Sequence, residues 1–188
     1  MTYKRSLCVA LILLTAMLST SLAFAEEKAC ITNMTVTNID DSLILYFDVE
    51  NAFTEKILAA LDTGVTISFS FPINIYQVRH LWKDKKVAQI DLINTIKYDT
   101  LKKDYLITRP WKSPVSYTVK SLDEAITLMT RIDGLPLSPT DFIKGDAYRV
   151  RVKARLNKIT RPLYLKLVLF FMNSWKLETS WEYIEFIY

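Results

Sequence analysis

Glycine is nearly missing from this 188-residue chain: Gly64, Gly134 and Gly145 are the only three, and no two are close together. Phosphate-cradling loops need a backbone that can approach the ligand closely, which clustered glycines permit. Nucleotide binding of the Gly-rich kinds is therefore set aside. Histidine is scarcer still. His80 stands alone between Arg79 and Leu81, with no cysteine at metal-ligand spacing, so it makes no zinc-type site. No Gly-x-Ser-x-Gly stretch surrounds any serine, which removes the strained nucleophile turn of the α/β-hydrolases. His80 is read as a strand residue.

Cysteine is limited to Cys8 and Cys30. Cys8 lies in an N-terminal apolar run that reads as a leader, so the working domain keeps one thiol and forms no internal disulfide. Its stability must come from a buried core. With 51% hydrophobic and 12% aromatic residues, that is feasible. Cys30 itself is read as a partly buried, inert thiol.

Carboxylates are plentiful but not paired for chemistry. Asp40-Asp41 fits a turn, Asp123-Glu124 the positive end of a helix, and Glu178 with Glu182 a solvated strand face. Glycosidase-type catalysis needs two carboxylates across one cleft, and no pair here is singled out. No catalytic residue, cofactor or metal is expected, and the chain is read as a non-enzyme.

The chain begins with a basic head, Lys4-Arg5, an apolar run from Leu7 to Leu22, then Ala23-Phe24-Ala25 before Glu26-Glu27. This is the layout of a secretory signal, with cleavage expected after Ala25. An uncleaved anchor is the alternative, but the run is at the short end of the roughly 20 residues that a span takes. The expected product is one β-rich domain, residues 26–188, periplasmic or otherwise exported. Losing Lys4 and Arg5 leaves 22 cations against 20 acids, a net charge of +2. Such near-neutrality gives no support to a nucleic-acid partner.

Most of the remainder has a period of two, the mark of strands with one buried face. Val65-Thr66-Ile67-Ser68-Phe69-Ser70-Phe71 alternates strictly. Pro72, lacking an N–H, predicts a bend, bulge or edge, with pairing resuming over Ile73 to Trp82. Asp84-Lys85-Lys86 reads as the next turn, before a strand from Val87 to about Tyr98. Tyr105-Leu106-Ile107-Thr108 and Val115 to Val119 are shorter strands. Met34-Thr35-Val36 and Leu43 to Val49 form a hairpin around Asp40-Asp41.

Near the end, Tyr148, Val150, Val152, Ala154 and Leu156 alternate with Arg149, Arg151, Lys153 and Arg155. Trp175, Leu177, Thr179, Trp181 and Tyr183 alternate with Lys176, Glu178, Ser180 and Glu182, and are read as facing the core. A column of like charge needs an acidic neighbour. Glu178 and Glu182 supply one if the two strands pair antiparallel.

Two short helices interrupt the strands. Ser121-Leu122-Asp123-Glu124 is a capping box, with Ala125, Leu128, Met129 and Ile132 on one face and Gly134 as a left-handed cap. The other helix runs from about Thr54 to Asp62, with Ile57, Leu58 and Leu61 inward and Gly64 at its end. Residues 160–173, almost wholly apolar from Leu163 to Met172, fit a helix, a loop or a strand covering the core.

The expected architecture is a mainly antiparallel β-sandwich, immunoglobulin-like in general layout, of seven to nine strands with two short helices. The candidate contact surface is the basic stripe Arg149, Arg151, Lys153 and Arg155, together with the apolar positions Leu163, Leu167, Phe170 and Phe171. An envelope or inner-membrane protein is the expected partner, with peripheral membrane contact as a further option. A periplasmic protein binding lipid or another apolar ligand between its sheets is the alternative.

The order of the segments resembles a known family. Ala60-Leu61-Asp62-Thr63-Gly64-Val65-Thr66-Ile67-Ser68-Phe69 is followed by Arg79-His80-Leu81-Trp82, then Tyr98-Asp99-Thr100-Leu101 with Tyr105. Leu122 with Ala125, Tyr148 to Leu156, and Trp175-Lys176-Leu177-Glu178-Thr179-Ser180-Trp181 complete the series. Over about residues 43–184 this resembles the bacterial domain-of-unknown-function family DUF4390, exported proteins of proteobacterial type. An acid that the family carries after the second-last strand stands here as Asn157, and the following Pro-Leu as Pro162-Leu163. The resemblance implies no catalytic residue. Members of the family are often encoded beside a membrane sensor kinase of nitrogen-regulation type, which implies an envelope accessory or sensory role.

Overall fold

Alternation in the sequence becomes alternation in space along β3 (Ile67–Gln77), where Ile67, Phe69, Phe71, Ile73 and Ile75 are all buried on one face. The structure is a computed structural model that describes residues 28–39, 42–137, 142–157 and 177–188. In chain order β3 is preceded by β1 (Cys30–Ile39), β2 (Ser42–Glu50) and helix α1 (Glu55–Asp62). It is followed by β4 (Lys85–Asp99), β5 (Asp104–Thr108), β6 (Tyr117–Val119) and helix α2 (Leu122–Thr130). The last four strands are β7 (Ile132–Leu137), β8 (Ala147–Val152), β9 (Arg155–Leu156) and β10 (Glu182–Ile187).

Two antiparallel sheets form a β-sandwich. One runs β1-β2-β7; the other runs β10-β8-β3-β4-β5-β6, with β9 also against β3. Their inner faces meet directly, the rings of Phe47 on β2 and Phe71 on β3 lying edge to face with centroids 5.9 Å apart. Such pairs add about 1 kcal/mol beyond the area that they bury. Helix α2 touches β2, β4, β5 and β6, so it spans from one sheet to the other. Ser121 caps it by accepting the Glu124 N–H, and Ala125 and Met129 are its buried positions. Helix α1 buries Ile57, Ala60 and Leu61, whereas Leu58 is only half-buried.

Pro72 behaves differently from the expectation. β3 runs straight through it, opposite Asp91 of β4. The interruption falls on the neighbouring strand instead. Pro72 accepts a hydrogen bond from the Lys153 N–H (3.2 Å) but has no N–H to return. Opposite that missing bond the ladder splits into β8 and β9, although its register, Ile73 with Val152 and Ser70 with Arg155, is unbroken.

Other expectations need correcting. The turn after β3 is not Asp84-Lys85-Lys86 but the loop 78–84, because β4 already begins at Lys85. His80 is therefore an exposed loop residue and not a strand residue. The strand expected over Val115 to Val119 shortens to β6. Gly134 does not cap α2, which ends at Thr130. It lies inside β7 at φ +87°, where the register against β2 slips between Leu45 and Tyr46. A glycine in the left-handed region is what such a bulge requires.

A buried polar network ties α2 and β7 to the larger sheet. Asn94 of β4 is fully buried; its amide donates to the Met129 carbonyl (2.9 Å) and accepts from the Trp111 indole N–H (2.8 Å). Arg109 is buried as well, stacked on Trp111, and donates to the Arg131 carbonyl and to Asp133. Lys112 is a second partner of Asp133 at 3.0 Å. Burial pushes the Asp133 carboxyl up, but hydrogen bonds from Lys112 and Arg109 and their charges outweigh it and hold the group below its ordinary value.

Two expectations follow from this geometry. Gly134→Ala forces a side chain into the left-handed region, and urea denaturation should register a loss of about 1–2 kcal/mol. Asp133 has a depressed folded pKa, so its stabilisation is present above its unfolded value near ~3.9 and lost as pH falls through the folded one. The Asp133 side chain is 45% exposed, which discounts the loss in Asp133→Asn to about 1 kcal/mol at neutral pH. The gap between wild type and variant should narrow toward pH 2; a gap of constant size would refute the assignment.

Candidate interaction face

Strand β8 points Tyr148, Val150 and Val152 into the core, and therefore turns Arg149 and Arg151 outward, with Lys153 and Arg155 continuing the same face. All four sequence-derived basic residues are thus brought together in one column. Leu163, Leu167, Phe170 and Phe171 lie outside the described residues, as does Trp175.

The column is balanced by acids, though not wholly by the ones expected. β10 does pair antiparallel with β8. Lys153 meets Glu178 at 2.7 Å, as the alternation suggests. Glu182 does not join in; it accepts a hydrogen bond from Ser180 (3.0 Å). Its place is taken by Glu185, which stands opposite Arg149 and bridges it at 2.6 Å, while Asp84 from the 78–84 loop grips the same guanidinium. The hydrogen bond to Glu185 raises the Arg149 pKa above its ordinary value; burial works against it and the charge of Glu185 adds to it.

A shift of phase explains the difference. Thr179 is buried, with its hydroxyl accepting the Ala154 N–H and donating to the Ser180 carbonyl. The ladder resumes only at Glu182, so that Ile184 and Phe186 pack against the core while Tyr183 and Glu185 face outward. Trp181 and Tyr183, expected in the core, instead lie on the basic face. Arg149 sits 5.5 Å from the Tyr183 ring centroid, Arg151 5.2 Å and Lys153 5.8 Å from that of Trp181. Alternation of Tyr183 and Glu185 against Ile184 and Phe186 was the available signal for this second phase.

The four cations are not equivalent. Arg149 and Lys153 have carboxylate partners, and Arg155 donates to Ser70, which bonds Asn157 in turn. Among the described residues, no carboxylate bridges Arg151. It lies over Trp181 and is paired in register with Asn74, whose side-chain amide oxygen is buried without a hydrogen bond. This part of the sheet therefore offers a positive charge held on an aromatic plate. Arginine, tryptophan and tyrosine together, here half-buried Arg151 and Trp181 with exposed Tyr183, are the side-chain mixture enriched in protein–protein contacts.

Among the described residues there is no cluster of three or more His, Cys, Asp or Glu side chains able to hold a metal ion, and no helix long and apolar enough to cross a membrane. Cys30 is a half-buried free thiol at the start of β1. No curated protein and no solved structure matches this chain. Residues 26–185 match a family described as a domain of unknown function, DUF4390. With that match running through every strand from β1 to β9 and most of β10, the chain belongs to the DUF4390 family.

Proposed function

We propose that this protein is a non-enzymatic, exported accessory module of the cell envelope that docks a membrane protein through the outer face of β8 and β10. A membrane sensor kinase is the first candidate partner, following the resemblance to the family. The carrying observation is Arg151, held on the Trp181 ring with no carboxylate bridging it among the described residues, and next to Tyr183, which is 62% exposed. Rigid aromatic anchors lose little conformational freedom on binding, and arginine supplies a directional fork of donors. The bridged Arg149 and Lys153 hold the plate in place from both sides. Ring contact across the sandwich, Phe47 to Phe71, with Phe53 of the loop after β2 packed on Phe69, favours a surface mode over a ligand held between the sheets.

The test places a photo-crosslinking amino acid at position 183 in the protein within its own cells, with position 118, exposed on β6, as the comparison. Crosslinking at 183 to an integral membrane protein is expected, falling at least tenfold with Arg151→Glu and being absent at 118. Equal yields at both positions, no response to Arg151→Glu, or a stoichiometric lipid in the native mass spectrum of the exported protein would each overturn the reading.

A further inference from the structure

One end of the sandwich carries apolar side chains that the fold leaves in water. The loop 78–84 joining β3 to β4 projects Leu81 and Trp82, 90% and 80% exposed, at adjacent positions. Beside it lie Ile187 of β10 and Ile143 in the turn before β8, 76% and 57% exposed. The hydrogen bonds fix this adjacency. Ala147 accepts from the Val78 N–H (2.8 Å) and pairs in register with Ile187, and Tyr188 exchanges backbone bonds with Gly145 and Asp146. Exposed apolar residues elsewhere, such as Leu101 and Val115, are scattered singly, which is ordinary for a protein surface. A Leu-Trp pair at a tip with two isoleucines alongside is a patch.

Unpaired charge at the same end is positive. Arg79 and Lys83 flank the Leu-Trp pair, and Lys85 and Lys86 follow it, all four exposed. The tip's one carboxylate, Asp84, is turned back into the body, bridging Arg149 with one oxygen and accepting the Arg79 N–H with the other. Glu185 is bound by Arg149, and Asp146 accepts from Gln77 (2.6 Å). The acids of this end are therefore each tied to a partner, Glu185 on the outer face included, while its four tip cations face solvent.

We propose that this end is a docking surface for an anionic lipid bilayer, with Leu81 and Trp82 entering the headgroup–acyl boundary and Arg79, Lys83, Lys85 and Lys86 meeting lipid phosphates. Tryptophan suits that boundary because its large ring is apolar while its N–H still finds a polar partner. Basic residues near an anionic surface add attraction that salt screens. A protein partner would need matching acids around a pocket for the tip; a bilayer needs only what the tip already has. The surface lies at the end of the sheet, apart from the Arg151–Trp181 plate, so the two proposals stand or fall separately.

The experiment uses the full chain with vesicles of phosphatidylglycerol brominated on the acyl chains. Bromine quenches only tryptophan that reaches the acyl region. A component of the emission should be quenched, and that component should be absent in Trp82→Phe, an exposed position where the ring change leaves the core untouched. The lipid concentration for half-quenching should rise about fivefold for each charge removed in Lys83→Gln and Lys85→Gln, and Lys97→Gln, at the far end of β4, should leave it unchanged. The proposal is overturned if Trp82→Phe is quenched as the wild type is, or if brominated phosphatidylcholine quenches equally well. Absence of quenching, with crosslinks from position 82 to protein alone, would assign the tip to a protein partner and overturn it too.

Discussion

The structure hangs on β3. Its inner face, Ile67 to Ile75, forms the floor of the core, and both of its edges are paired, with β4 on one side and β8 and β9 on the other. Burying five large apolar side chains from one strand removes enough surface from water to contribute on the order of 10 kcal/mol before the entropy of ordering is set against it. The short strands rely on that arrangement. β10 reaches the sheet only through β8, and β6 only through β5 and β4. The outer face that carries Arg149, Arg151 and Lys153 is the reverse side of this same core: the alternation that drives Val150 and Val152 inward is what lines up the cations outside.

A second constraint works between the sheets. Apolar contact alone does not fix how one layer sits on another, because it has no direction. Asn94 and Arg109 supply the direction, for each has donors that must find partners when buried. Asn94 bonds the last turn of α2, and Arg109 bonds the residues that open β7, so the helix and the smaller sheet are held at a fixed height above β4.

Much of this was readable in the sequence, and what was not has physical causes. Strict alternation placed the face of β3, and the Ser121 cap placed the start of α2. Gly134 misled because a left-handed glycine serves equally as a helix cap and as a strand bulge; only the pairing with β2 decides, and that partner lies nearly ninety positions back in the chain. Strand β7 was lost with it. In the C-terminal segment, one alternation ran on past Thr179 because nothing local announces the change of phase before Glu182. The basic stripe was therefore found, while Glu185 and Asp84, which neutralise Arg149, were not: one belongs to the second phase and the other to a loop 65 positions away. The Asn94–Arg109 network was invisible for the same reason, its bonds joining residues 17 to 35 positions apart.

Pro72 has a consequence for the nascent chain. β4 follows β3 directly and can close against it early, but β8 is made some seventy positions later. Until then the far edge of β3, backed by phenylalanine and isoleucine, is a template on which another molecule's strand could grow, the usual beginning of aggregation. The amide group that Pro72 lacks would have pointed at that waiting edge. An intruding strand meets a missing donor in the middle of its run, whereas the protein's own later segment fits around the gap by dividing into β8 and β9.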